Sequence, residues 1–192
     1  MRYPPKETAE KHARILEQAS LLFREHGFSG VSVSEIMKAT GLTHGAFYNH
    51  FESKEDLISK SVETTSTAAL ASMQEDASLG ESMAQFVEKY LSEQHRDNPK
   101  NGCLMAALAG EIAREPAAQS AFTRHVKAMV ANFTEPLAAA KSKNARRQAI
   151  HTLSSIVGAV VLARAVDDPQ LSAEIIRETR TALTDKASHR ES

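Results

Sequence analysis

Apolar residues along this 192-residue chain recur at three- and four-residue intervals, the spacing that gathers them on one side of an α-helix. Ile15, Leu16, Ala19, Leu22 and Phe23 form the first such stripe, and Gly27 follows as a helix-ending residue. Two-residue alternation is nowhere sustained and β-branched clusters are short, so the pattern predicts an all-α fold. Caps mark the next starts. Ser32 with Glu35 forms an S-x-x-E box ahead of a short helix over residues 33–40. Thr43 is expected to cap a second short helix over residues 44–51. Ser53, followed by Glu55 and Asp56, opens a long helix whose early acids suit the positive end of its dipole. Only Gly41, Leu42 and Thr43 separate the two short helices, which is helix-turn-helix spacing.

Further breaks are expected at Leu79-Gly80, over residues 97–102, at Glu115-Pro116, over residues 141–144 and at Asp167-Asp168-Pro169. At the last of these Asp168 caps and Pro169 takes the first helical position, where its missing N–H is harmless. The expectation is nine helices: three small ones at the front and six in a larger bundle. Residues 1–53 would form one domain and 54–192 the other, with a tail from residue 186 that frays.

Composition narrows the classes. Apolar content of 42% and charged content of 24% suit a folded protein with a real core. A formal net charge of −1 means that any nucleic-acid contact has to be local. The single cysteine, Cys103, excludes an internal disulfide framework, and the eight histidines never fall in an H-x-x-x-H pair, so no metal is expected. The first residues turn amphipathic at once, and the longest apolar run, over residues 156–163, is short for a bilayer. A soluble, cytoplasmic protein with no membrane partner is expected. The chain lacks a glycine-rich phosphate loop, G-x-S-x-G and a paired-carboxylate signature, so neither an enzyme nor a cofactor is expected.

Local chemistry concentrates in GLTHGAFYNHFESKEDL (Gly41 to Leu57), aromatic-rich in a chain with only 5% aromatics. Phe47 and Phe51, four residues apart, are predicted to face inward onto Leu22, Phe23, Ile36 and Leu42. His44, Gly45, Tyr48 and Asn49 fall on the opposite side, with His50 at the edge. A helix in a DNA major groove presents such residues to base edges, while hydroxyls, amides and cations grip the flanking phosphates.

The stretch over residues 9–57 resembles the DNA-binding region of the TetR family of bacterial transcriptional repressors. The resemblance rests on F-x-x-x-G-F (Phe23 to Phe28), the Gly41-Leu42 turn and F-Y-x-H-F-x-x-K-[ED]-x-L from Phe47. It implies a homodimer on a palindromic double-stranded operator, released by a small-molecule effector. It also implies that Thr43, His44, Gly45 and Asn49 meet bases or groove, and that Tyr48, His50 and Lys54 meet phosphates. Ser34 and Thr43 become secondary contacts, and Lys6 and Lys11 could reach flanking phosphates.

The resemblance further implies a ligand cavity in the larger domain. Methionine and phenylalanine walls there suit a largely apolar molecule. The candidates are Phe86, Tyr90, Cys103, Leu108, His125, Met129, Phe133 and His151. Cys103 precedes a predicted helix, whose dipole favours thiolate, so a reactive electrophile is a second effector class. Near the C-terminus the apolar stripe widens around the helix, which predicts burial on most sides. Ile156, Val157, Val160, Val161 and Arg164, with Ile175, Ile176, Thr179 and Leu183, are the expected dimer interface. Arg164 is expected to find a carboxylate, Asp167 or Glu174. Two other readings stay open: a ligand-independent DNA-binding dimer, and a small-molecule enzyme using the cavity.

Overall fold

A computed structural model of the chain describes residues 5–188, and the tail expected to fray falls largely outside them. The described residues hold nine α-helices, two 3₁₀ turns and no strand. In chain order they are α1 (Pro5–His26), α2 (Val33–Ala39), a 3₁₀ segment His44–Asn49 and α3 (Lys54–Ser78). Next come α4 (Met83–Tyr90), α5 (Glu93–Asp97), a 3₁₀ turn Pro99–Asn101 and α6 (Leu104–Ile112). The chain continues with α7 (Pro116–Ala139), α8 (Ala145–Ala165) and α9 (Pro169–Ser188).

Two expectations change. The front of the chain is not three small helices, because α1 runs for 22 residues. The segment after the turn is 3₁₀ rather than α, and Thr43 occupies its cap position without a side-chain hydrogen bond. Other local signals hold. Ser32 and Glu35 form the reciprocal capping box, and the Ser53 hydroxyl accepts from the Asp56 N–H. Asp168 Oδ1 accepts from the backbone N–H groups of Gln170 and Leu171, with Pro169 first in α9.

The first apolar cluster is built by Ile15, Ala19, Phe23, Ile36, Met37, Phe47 and Phe51, with Leu22 and Leu42 packed against it. It does not stop at residue 53. Leu57, Ile58 and Val62 of α3, Leu104, Leu108 and Ile112 of α6 and Ala118 of α7 bury in the same cluster. The second cluster joins Val87, Tyr90, Leu91, Met105, Met129, Phe133, Leu153, Ile156, Val160 and Ile176. α3, a single helix of 25 residues and so about 37 Å long, carries residues that pack on both.

The joint between the front helices and α6 is polar. Gly27 ends α1 with φ +76°, and the Phe28 N–H behind it donates to Glu111 Oε2 at 2.6 Å. Arg24 donates from Nε to the Lys100 carbonyl at 2.7 Å, and the Lys100 ammonium lies 3.3 Å from the Glu25 carboxylate. The end of α1 is thereby bonded both to α6 and to the turn that precedes it.

Candidate nucleic-acid interface and effector cavity

The segment His44–Asn49 is held from below. Phe47, 1% exposed, stacks on Phe51 with ring centroids 5.5 Å apart and meets the Tyr48 ring edge-on at 5.2 Å. An Arg14 side chain reaches across to the Thr40 carbonyl and ties α1 to the end of α2. With the phenylalanines below, the other face is presented outward: Tyr48 is 66% exposed, and Thr43, His44, Gly45 and Asn49 are exposed beside it. Ser34 is exposed on α2.

Gly45 is informative. A Cβ built there would meet nothing within 4 Å, so the surrounding structure does not require a glycine. A side chain there would be met only by something approaching this face from outside.

Positive charge on this face is scarce. Lys54 is half-buried and donates to the Phe28 carbonyl at 2.6 Å, which turns its ammonium toward the α1–α2 connection. Lys11 pairs with Glu7 at 2.8 Å, while Lys6 is exposed. His50 is half-buried, and its ring lies 5.9 Å from that of His12, which stacks flat on Phe51 at 4.6 Å. Burial lowers the pKa of both histidines; Lys60 adds to the effect on His12 against Asp56, and His12 and Lys11 add to it on His50. Both are therefore mainly neutral at pH 7.

In the larger part of the molecule a cavity of about 470 Å³ opens beside α4. Phe86 and Tyr90 line it, and Met129 and Phe133 stand behind them in the second cluster, with Phe86 edge-on to Phe133 at 5.3 Å. Cys103 is not in the cavity lining, and three further expected residues lie elsewhere. Leu108 packs against the first cluster, because its side of α6 faces α1. His125 is 2% exposed and bonded through Nδ1 to the Ser66 hydroxyl at 2.9 Å, a satisfied core histidine between α3 and α7. His151 is exposed on α8.

The polar lining comes instead from residues not foreseen: Lys89, Ser92, Gln94, His95, Asn98 and Asn101. For Asn98 and Asn101 the only sequence signal was the polar, proline-broken break over residues 97–102; the other four carried none. His95 organises this wall. Its Nδ1 bonds the Tyr90 carbonyl at 2.7 Å and its Nε2 accepts the Cys103 N–H at 3.0 Å. Both ring nitrogens are thus committed to one neutral tautomer. Cys103 is half-buried at the N-cap position of α6. No group of three or more metal-ligating side chains occurs among the described residues.

Two family models match the chain. Residues 15–60 match bacterial regulatory proteins of the tetR family, and residues 80–177 match the C-terminal domain of LmrA/YxaF-like transcriptional regulators. The chain belongs to the TetR family of bacterial transcriptional regulators.

Members of this family are DNA-binding regulators rather than enzymes. The HTH-type transcriptional regulator AcrR of Shigella flexneri is 46% identical over 54 residues, covering 28% of this chain and 25% of AcrR. The transcriptional repressor AcnR of Corynebacterium glutamicum is 46% identical over 44 residues, 23% of each protein. Each match spans only about a quarter of the relative's length. Solved structures share the fold along nearly the whole chain. The reduced form of E. coli NemR superposes with a TM-score of 0.77 at 20% identity, over 92% of this chain and 96% of NemR. A TetR-family regulator from Agrobacterium tumefaciens gives 0.75 at 23% identity, over 95% and 98%.

At the C-terminal end of this TetR-family chain the expected interface splits in two. Ile156, Val160 and Ile176 are buried in the chain's own second cluster, so they are not free to meet a partner. Val157, Ile175, Thr179 and Leu183 are half-buried, and Val161 is exposed. Arg164 points inward. It donates to the carbonyls of Arg96 and His95 at 2.8 and 2.7 Å, where a carboxylate had been expected. The exposed apolar residues here are Ile150, Val161 and Leu162 on α8 and Leu171 on α9. Among the described residues α8 alone is long and apolar enough to cross a membrane by length and composition, yet its Ile156 side is packed into the second cluster.

Four buried or half-buried histidines predict a pH response. Burial lowers the pKa of His95 and His125, as it does for His12 and His50. These groups are neutral when folded and take up protons more readily when unfolded. Their contribution to stability is complete above the unfolded value of about 6.5 and is lost as pH falls below it. Thermal melts at pH 7.5 and 5.5, above the carboxylate range, are expected to show a lower midpoint at 5.5. His125→Gln should flatten part of that difference, and a midpoint that rises at 5.5 would refute the assignment.

Proposed function

We propose that this regulator is a cytoplasmic repressor. As a homodimer it binds a roughly palindromic operator, and it leaves the DNA when a small, largely apolar ligand fills the cavity beside α4. Residues 1–53 read DNA; residues 54–192 sense and pair. The observation that carries the reading is the outward face of His44, Gly45, Tyr48 and Asn49, fixed from below by Phe47 and Phe51. Tyr48 reaches a phosphate, and Gly45 lets the segment approach the groove. His44 and Asn49 face base edges. His50 and Lys54 act at the phosphate margin, Lys54 through the donors left beyond its bond to Phe28.

Pairing is supported by exposed and half-buried apolar residues on two neighbouring helices. On α8, Ile150, Val157 and Val161 recur at intervals of seven and four, one side of a helix, and Leu171 and Ile175 do the same on α9. A cavity with aromatic walls favours a ligand-responsive protein over a ligand-independent one. Coupling runs by two routes: along α3, and from the cavity wall at residues 98–101 through Lys100 to Arg24 and Glu25. An electrophile acting at Cys103 is the second effector class. It is supported by the place of the half-buried thiol at the N-cap position of α6.

The test is a pair of substitutions read by binding to many operator variants. Tyr48→Phe should weaken binding to all sequences alike, by roughly ten-fold per head for a lost hydrogen bond to a charged acceptor. His44→Ala should change which sequence is preferred. The reverse pattern would mean that the segment is docked the other way round.

A further inference from the structure

Two histidines meet beside the segment His44–Asn49. His12 of α1 stacks flat on Phe51, ring centroids 4.6 Å apart, and the His50 ring stands 5.9 Å from that of His12. Phe51 is buried in the first cluster, so a fixed ring holds His12 in place next to His50. His95 is bonded through both ring nitrogens and His125 through Nδ1, but no hydrogen bond among the described residues engages the ring of His12 or His50. Both are half-buried, so each keeps some access to solvent.

The charges around the pair come from α1 and α3. On α1 stands Lys11, with Glu7 at 2.8 Å from its ammonium. On α3 stand Lys60, whose ammonium lies 5.4 Å from the Phe51 ring centre, and Asp56. Asp56 is already engaged, by Lys60 at 2.8 Å and by the N–H of the exposed Glu52 at 3.1 Å. Burial, then His12 and Lys11, disfavour a charge on His50; burial and Lys60 disfavour one on His12, against a smaller pull from Asp56. A proton arriving at the pair therefore finds no anion of its own, and two protons on rings so close would repel. A phosphate at the margin of this face would supply the missing anion.

We propose that each head takes up one proton at the His12–His50 pair as it meets DNA, the charge settling on His50 against a phosphate, so that operator binding tightens as pH falls. His12 is a positioning residue: fixed on Phe51, it keeps His50 neutral until the phosphate arrives. The proposal rests on the reading of this face as the DNA contact and adds the proton that accompanies binding. The sign follows from linkage, since a complex that holds more protons than its free parts gains affinity as pH falls.

The test uses a duplex selected by the protein from a random pool, with affinity read by fluorescence anisotropy at fixed salt from about pH 8 to pH 6, above the carboxylate range. Wild-type affinity should rise roughly ten-fold or more toward pH 6. His50→Gln, which cannot take the proton, should flatten this profile. His12→Phe keeps a flat ring on Phe51 without the competing charge, so its profile should keep the rise and move to higher pH. Calorimetry in two buffers of different ionisation enthalpy should register proton uptake on binding by the wild type and less by His50→Gln. A wild-type affinity that is flat over this range, or a full rise kept in His50→Gln, would overturn the proposal while leaving DNA binding intact. An unmoved profile in His12→Phe would overturn the pairing. If no duplex is selected, the DNA reading and the proposal fail together.

Discussion

Replacing Phe47 by alanine is expected to abolish operator binding and to lower stability by about 3–5 kcal/mol, the range for removing a buried phenylalanine. The side chain is 1% exposed and stacks on Phe51, itself 2% exposed in the same cluster. The segment that carries it is only six residues of 3₁₀ turn, with no side-chain cap. So short an element has little stability of its own. Packing through Phe47 and Phe51 must hold His44, Tyr48 and Asn49 in place. Loss of DNA binding at a temperature where helicity survives would place the damage in this segment. Unchanged operator affinity in Phe47→Ala would show that another surface reads DNA.

Gly27→Ala is expected to have the second-largest effect, about 2–5 kcal/mol, through two additive causes. An alanine at φ +76° pays roughly 1–2 kcal/mol for the left-handed backbone. Its Cβ would also stand within 3 Å of the Glu111 carboxylate, which must move. The Phe28 N–H then loses its acceptor, about 1–3 kcal/mol more. For a chain of this size the sum is a fall in melting temperature of roughly 4–20 °C. Because the same contact joins the front helices to α6, the proposed effector response should weaken along with stability. Glu111→Gln, which keeps an acceptor, should fall between the two. A melting temperature unchanged in Gly27→Ala would remove Glu111 from the joint.

What could be read in advance follows from how far each signal reaches along the chain. The Ser32–Glu35 box, the Ser53 cap and Pro169 at the head of α9 are signals within a few residues, and each lies where it was expected. The inward turn of Phe47 and Phe51 is equally local, since residues four apart share one side. Thr43 marks the limit of that logic: a good capping residue occupies the cap position, yet the tighter 3₁₀ turn leaves its hydroxyl unbonded.

Contacts between distant segments were not legible. Leu108 and Met105 lie three residues apart on α6, yet one faces the first cluster and the other the second. Apolarity does not say which side meets which neighbour. Ile156 and Val160 are as apolar as Val161, yet the first two are buried within the chain and the third is exposed. Arg164 needed an acceptor, and backbone carbonyls at residues 95 and 96 supply it, which no side-chain pattern announces. The cavity's polar wall escaped for the same reason: Asn98 and Asn101 read as loop residues until α4 and His95 are set beside them.

The reading of a two-headed DNA binder is tested most directly on a duplex selected by the purified protein from a random pool, then mapped by hydroxyl-radical footprinting. The account predicts a dyad-symmetric consensus with two protected patches about 10–10.5 base pairs apart, or a multiple of that spacing, and their loss in Phe47→Ala. A pool that yields no consensus, or a single unsymmetrical patch that survives in Phe47→Ala, would contradict it.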